Sequence, residues 1–219
     1  MYIQSDVIDE IKLIKPAFFK NAFEKLFTWQ ELENLLNLRP FVNDDRCKMI
    51  NQKKYTWELQ SWLTDVNTYP PSLLDAEIRQ NHCYLQDASR ANKKINAVCE
   101  QLESIFPRGS ADAHIYFNIS ENDSSGFGIH WDGSHNLIVQ MEGETQFQIW
   151  DDNIIGDRIV QFLNEEPIID VVLQSGDAVF VPMNTYHRAT SKTKRFSISF
   201  PISMNDVTAN QDRHWIKIT

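Results

Sequence analysis

The chain has 219 residues, 42% hydrophobic and 23% charged, which suits one globular domain with room for a substantial core. Mean hydropathy is −0.41, and every apolar run breaks before the ~18 residues a membrane-spanning helix needs. The formal net charge of −9, with no basic run, argues against nucleic acid and anionic membranes as partners.

The first half reads as helical. Thr28-Trp29-Gln30-Glu31 matches a capping box, and Leu32, Leu35 and Leu36 follow at helical spacing up to Pro40. A second helix is expected from Thr56, where Leu59, Trp62, Leu63 and Val66 share one face and Pro70-Pro71 closes the run. In the third, Ala91, Ile95, Val98, Leu102 and Ile105 form one apolar stripe, with Asp87 or Ser89 as cap and Pro107 as stop. The start, Met1-Tyr2-Ile3-Gln4-Ser5-Asp6, lacks the pattern of a secretory signal. Cys47, Cys83 and Cys99 are odd in number and widely spaced, so reduced, buried thiols in a cytoplasmic protein are expected rather than a disulfide framework or a zinc module.

From residue 112 the period changes to two. Ile115, Phe117 and Ile119 alternate with His114, Tyr116, Asn118 and Ser120; Leu137, Val139 and Met141 alternate with Asn136, Ile138, Gln140 and Glu142; Phe147 and Ile149, then Phe196, Ile198 and Phe200, alternate with polar residues. Ile168–Leu173 and Ala178–Val181 are short, apolar and β-branched, and turn residues separate all these runs. Six or more short strands predict a sandwich or barrel. The expected organisation is an N-terminal helical segment over 1–111 packed on the barrel, a barrel over 112–202, and a short tail over 203–219.

One constellation carries chemistry. In Gly128-Ile129-His130-Trp131-Asp132 the histidine and aspartate are two apart, so an extended segment presents both on one face. His187 follows a strand-like run further on, and a barrel can bring the two segments together. Two histidines and one carboxylate on one side of a metal leave the opposite positions open, the facial triad of non-haem Fe(II) oxygenases. Trp131, between the ligands, is expected to pack against a helix. His135 is expected in a turn or facing substrate, since a fourth ligand would close the site.

His114 to Trp150 and Val171 to Ile202 together resemble the JmjC-type cupin-fold oxygenases, within them the ribosomal-oxygenase and asparaginyl-hydroxylase-like branch. The resemblance lies in Ile115-Tyr116-Phe117-Asn118 leading to Ser125-Gly126-Phe127-Gly128, in His130-Trp131-Asp132 running into Asn136–Gly143, and in Gly176–Pro182 leading to His187. It implies a mostly β fold, a double-stranded β-helix of the cupin-like jelly-roll type. It implies Fe(II) held by His130, Asp132 and His187, 2-oxoglutarate as cosubstrate, and hydroxylation of a peptide or protein side chain or of a small molecule. Asn136 falls at a position that touches cosubstrate in the branch, and Tyr116, Asn118 and His135 are the expected pocket residues. The branch carries Lys or Arg where this chain has Thr145, and threonine cannot neutralise a carboxylate. Arg195 and Ser197, two apart on one predicted strand, resemble the Arg-x-Ser pair of other 2-oxoglutarate oxygenases, and a bidentate guanidinium suits that task. Arg188 is expected on the opposite face. Two alternatives stay open: a cupin-type metal enzyme that does not use 2-oxoglutarate, which Thr145 favours, and a non-catalytic cupin binding protein. Only Ser203–Thr219 follow the last predicted strand, so the large C-terminal domain of ribosomal oxygenases is expected to be missing and small substrates gain weight.

Overall fold

The computed structural model describes residues 2–38, 47–51, 56–58, 75–76, 78–119, 124–125, 128–150 and 166–204. Among the described residues, helices α1 (Ser5–Ile11), α2 (Trp29–Leu36) and α3 (Lys93–Ile105) accompany strands β1 to β13. The strands are β1 (Ala17–Phe19), β2 (Cys47–Asn51), β3 (Thr56–Glu58), β4 (His82–Leu85), β5 (Ser110–Ala111), β6 (His114–Asn118) and β7 (Ser124–Ser125). They continue with β8 (His135–Glu142), β9 (Thr145–Ile149), β10 (Ile169–Leu173), β11 (Ala178–Val181), β12 (His187–Ser191) and β13 (Arg195–Ser203). Among the described residues the strand pairings are antiparallel.

Two sheets result. The larger runs β1-β11-β8-β13-β6-β4-β2-β3, with β5 also on β13, and the smaller runs β10-β9-β12-β7. From β8 onward the chain places β8, β11 and β13 in the larger sheet and β9, β10 and β12 in the smaller, so it passes between sheets as a jelly roll does. This is the double-stranded β-helix. Among the described residues no helix is long and apolar enough to cross a membrane.

The larger sheet is buried on both faces because its strands carry two different sets of side chains. On β8, Leu137, Val139 and Met141 join a core with Ile95, Val98 and Leu102 of α3 and Leu32 and Leu35 of α2. The intervening Ile138 belongs to a second core between the sheets, with Phe147, Ile149, Leu173, Val179 and Val181. The helices thus cover one face and the smaller sheet covers the other, giving three layers.

α2 starts as its sequence predicts: Thr28 accepts from Glu31 N at 3.2 Å while Glu31 Oε2 accepts from Thr28 N at 2.9 Å. α3 starts later than expected. Its cap is Asn92, whose side chain accepts from Ile95 N at 2.9 Å, and Asp87 instead takes a left-handed conformation ahead of a 3-10 turn at Ala88–Arg90. Two expectations for the N-terminal segment are corrected. Residues 1–111 are not only helical, because β1 to β5 lie there and extend the barrel's own sheet. The helix expected from Thr56 begins instead as β3, which pairs with β2 through Ile50 opposite Trp57; Thr and Trp favour a strand once a partner is present. The remainder of that expected helix, like Pro40, lies outside the described residues. The three cysteines are buried and form no disulfide, and burial pushes the Cys47 thiol up to about 12, so it stays protonated.

Candidate metal centre

An isolated antiparallel bridge joins His130 to His187. His130 N donates to His187 O at 3.0 Å and His187 N donates to His130 O at 2.8 Å. The two residues, remote in sequence, therefore meet through the backbone before any ligand chemistry enters. A third bond, from Asn184 N to Asp132 O at 2.9 Å, ties the turn after β11 to the same segment. His130, Asp132 and His187 each offer one ligand atom, and these atoms lie within 4.8 Å of one another. His187 Nε2 is 3.6 Å from Asp132 Oδ2.

Both imidazoles are set for coordination through Nε2. His187 Nδ1 bonds Thr185 O at 3.0 Å and His130 Nδ1 bonds Gly128 O at 3.1 Å. A carbonyl only accepts, so each Nδ1 carries the proton and each Nε2 presents its lone pair. Burial, then the neighbouring His130, holds His187 well below the usual imidazole range. It is therefore neutral, as a metal ligand must be. Phe147 stacks on its ring at 5.7 Å.

The triad opens onto a cavity of about 60 Å³ between the two sheets, room for a few water-sized groups. Its wall is apolar at Ile138, Phe147 and Leu173. Thr145, Arg195 and Ser197 also line it, and Ser191 to Thr145 and Ser197 to Tyr116 are cross-strand partners. Arg195 is 6% exposed. Its guanidinium donates from Nε to Ser191 Oγ at 2.8 Å and from Nη1 to Ser197 Oγ at 2.9 Å. Among the described residues no carboxylate pairs with it. Burial pulls its pKa down to about 10, which leaves it charged at neutral pH. Thr145 Oγ1 and Gln140 Oε1 are buried beside the cavity without a hydrogen-bond partner among the described residues. A buried charge and buried polar atoms left in this condition are costly unless a ligand completes them. A small molecule with a carboxylate fits.

The other residues singled out in the sequence divide. Tyr116 lines the cavity, and burial raises its phenol well above the ordinary value. Asn118 is fully buried and does not line the cavity. His135 does not face the cavity either: it is 6% exposed, stacks on Phe106 at 5.5 Å and accepts Met183 N at 3.0 Å through Nδ1. The structure places Asn136 on Asp132, not in the cavity lining. Trp131 is 52% exposed and does not pack into a helix interface. Arg188 points outward, as alternation predicts, and donates to Gln148 Oε1 at 3.0 Å through Nε.

Sequence reading missed a second layer. His82, Gln140 and Ser199 line the cavity, and burial, then the charge of Arg195, lowers His82 to about 3. Tyr84, opposite Tyr116 on the neighbouring strand, shares a hydrogen bond of 2.5 Å with His114 Nδ1. His114 Nε2 in turn lies 3.6 Å from Asp112 Oδ2. The alternation of β6, which puts Tyr84's partner inward, was the available signal.

Residues 85–210, more than half of the chain, match the JmjC domain family model. The chain belongs to the JmjC family. It is 25% identical over 193 residues to the bifunctional lysine-specific demethylase and histidyl-hydroxylase NO66 of Drosophila sechellia, covering 83% of this chain and 28% of that one. The NO66 of Caenorhabditis elegans is 23% identical over 98% of this chain and 28% of its own length. The chain thus spans about a quarter of these curated relatives. Among solved structures, Escherichia coli YcfD superposes with a TM-score of 0.64 at 14% identity, over 92% of this chain and 54% of that one. YcfD, a ribosomal oxygenase, is also known in complex with cobalt and 2-oxoglutarate, and that structure superposes with a TM-score of 0.60 at 16% identity over 86% of this chain and 48% of that one. These likenesses agree with the jelly-roll topology.

Proposed function

We propose that this chain is a non-haem Fe(II), 2-oxoglutarate-dependent oxygenase that hydroxylates a side chain of a peptide or protein. One observation carries the reading. A two-histidine, one-aspartate set lies at a cavity that also holds a buried arginine with, among the described residues, no carboxylate paired to it. The donor set fits Fe(II), and the arginine fits the distal carboxylate of a dicarboxylate cosubstrate. The names of the relatives, a histidyl-hydroxylase and a ribosomal oxygenase, support a protein substrate.

When bound, Fe(II) and 2-oxoglutarate supply the O₂-dependent chemistry that inserts a hydroxyl into a C–H bond. The chain's own residues do the rest. His130, Asp132 and His187 would hold the metal. Arg195 would pair with the cosubstrate's distal carboxylate, and Thr145 and Ser197 would add hydroxyl hydrogen bonds to it. Ile138, Phe147 and Leu173 exclude water from this end, which strengthens the ion pair. Asn118 and His135 take no part.

The test is an anaerobic titration of the Fe(II)-loaded protein with 2-oxoglutarate, followed by visible absorption. A metal-to-ligand charge-transfer band that vanishes in Asp132→Ala supports the reading, and no band despite bound iron removes it. Thr145 favours a second reading, a cupin-type metal enzyme that does not use 2-oxoglutarate. Succinate release during turnover decides between the two.

A further inference from the structure

Asp132 is far more exposed than His187. Its side chain is 43% exposed, against 5% for His187, and a carboxylate at such a position keeps rotamer freedom unless something holds it. Each histidine has its Nδ1 bond to a carbonyl. The carboxylate of Asp132 takes one hydrogen bond among the described residues, from Asn136 Nδ2 to Oδ2 at 2.8 Å.

The amide of Asn136 is itself fixed. Its Oδ1 accepts from Ser199 Oγ at 3.2 Å, and its Nδ2 also reaches Ser134 O at 3.4 Å. With the amide reversed, Oδ1 would face the carboxylate and both would be acceptors. The Asp132 carboxylate and the Ser134 carbonyl, which only accept, set the orientation that donates to Asp132, and the Ser199 hydroxyl holds the far end of the amide in place. Ser199 is 6% exposed, Asn136 3%, and the β8–β13 register, with Ser199 opposite Ile138 and Pro201 opposite Asn136, sets their spacing.

We propose that Ser199 and Asn136 form a positioning relay that runs from the cavity wall to Asp132 and fixes its carboxylate for metal binding. The inference rests on the reading of the triad as a metal centre. Asp132 Oδ2 has two lone-pair directions. Asn136 occupies one, and the other is left for the ion. Asn136 serves the ligand set through both ends of its amide.

Co(II) alone, without cosubstrate, is the probe, and its dissociation constant and ligand-field absorption are the readouts. Asn136→Leu is expected to weaken Co(II) binding about 10–100-fold, the range for partners that orient a metal ligand. Ser199→Ala, which touches no ligand atom, is expected to weaken it several-fold, and Ser199→Thr restores it. The double variant binds no worse than Asn136→Leu, because a relay broken at one link loses nothing more at the next. Thermal melts of the metal-free variants separate a folding defect from a binding defect, and Ser199→Ala tests the relay by itself if Asn136→Leu misfolds. Wild-type affinity in Ser199→Ala, or losses that multiply in the double variant, overturns the relay and leaves the metal centre standing. A wild-type chain that binds no Co(II) overturns both.

Discussion

Arg195 shows how a single side chain can be unfavourable for folding and necessary for binding. Among the described residues it is buried with neutral hydrogen-bond partners, Ser191, Ser197 and the Tyr116 carbonyl. Replacing a buried charge by an apolar group of similar size is often neutral or stabilising, and ligand sites commonly trade stability for affinity in this way. Arg195→Met is therefore expected to leave the melting temperature of the ligand-free protein unchanged or slightly raised. The Co(II)-loaded variant should bind 2-oxoglutarate about 100-fold more weakly, roughly 2.7 kcal/mol. Thermal melts with and without 2-oxoglutarate test both halves. A variant with wild-type affinity would mean that the distal carboxylate is held elsewhere.

At the scale of elements, β13 carries two messages on one strand. Phe196, Ile198 and Phe200 enter the core under the helices, while Arg195, Ser197 and Ser199 line the cavity. The period of two was legible in the sequence, and so was the apolar face. The polar face was not legible as buried, because an alternating strand ordinarily turns that face to water. Here the smaller sheet roofs it and makes it the cavity wall. The metal ligands were legible because His-x-Asp is a local spacing and His187 follows a recognisable strand. Ser199 on Asn136, and Tyr84 on His114, depend on the register between distant strands, which local spacing does not encode. β1, β3 and β5 escaped notice because runs of two or three residues are too short to display a period. The β8–β9 turn gives an element-scale prediction. Gly143 has φ +72°, and a Cβ there would collide with the Lys194 carbonyl and come within 2.7 Å of Arg195 Cβ. Gly143→Ala is expected to cost about 3 kcal/mol or more, through left-handed strain and the displaced strand. That is roughly a 10 °C fall in melting temperature for a chain of this size. Gly133→Ala, where an added Cβ meets nothing within 4 Å, is the matched control. Equal melting temperatures for the two variants would show that the turn tolerates a side chain.

For the whole molecule, the question is whether the metal builds the fold or only uses it. The two cores are made of apolar residues from the helices and both sheets, and apart from Phe147 stacking on His187 they do not depend on the triad. The triad's backbone is joined by its own hydrogen bonds, His130 to His187 in both directions. A small zinc module behaves otherwise, since its ligands replace the core and it unfolds when the metal leaves. Chelation is therefore expected to leave the circular dichroism spectrum intact and unfolding cooperative. The metal then adds only its binding free energy to the native state, about 2.7 kcal/mol when free metal is 100 times its dissociation constant. For 219 residues that corresponds to a rise in melting temperature of roughly 5–10 °C, and the rise should grow with the logarithm of metal concentration. Asp132→Ala should melt where the chelated wild type melts and show no such rise. Loss of secondary structure on chelation would mean that the β8 to β13 barrel closes only around its ion.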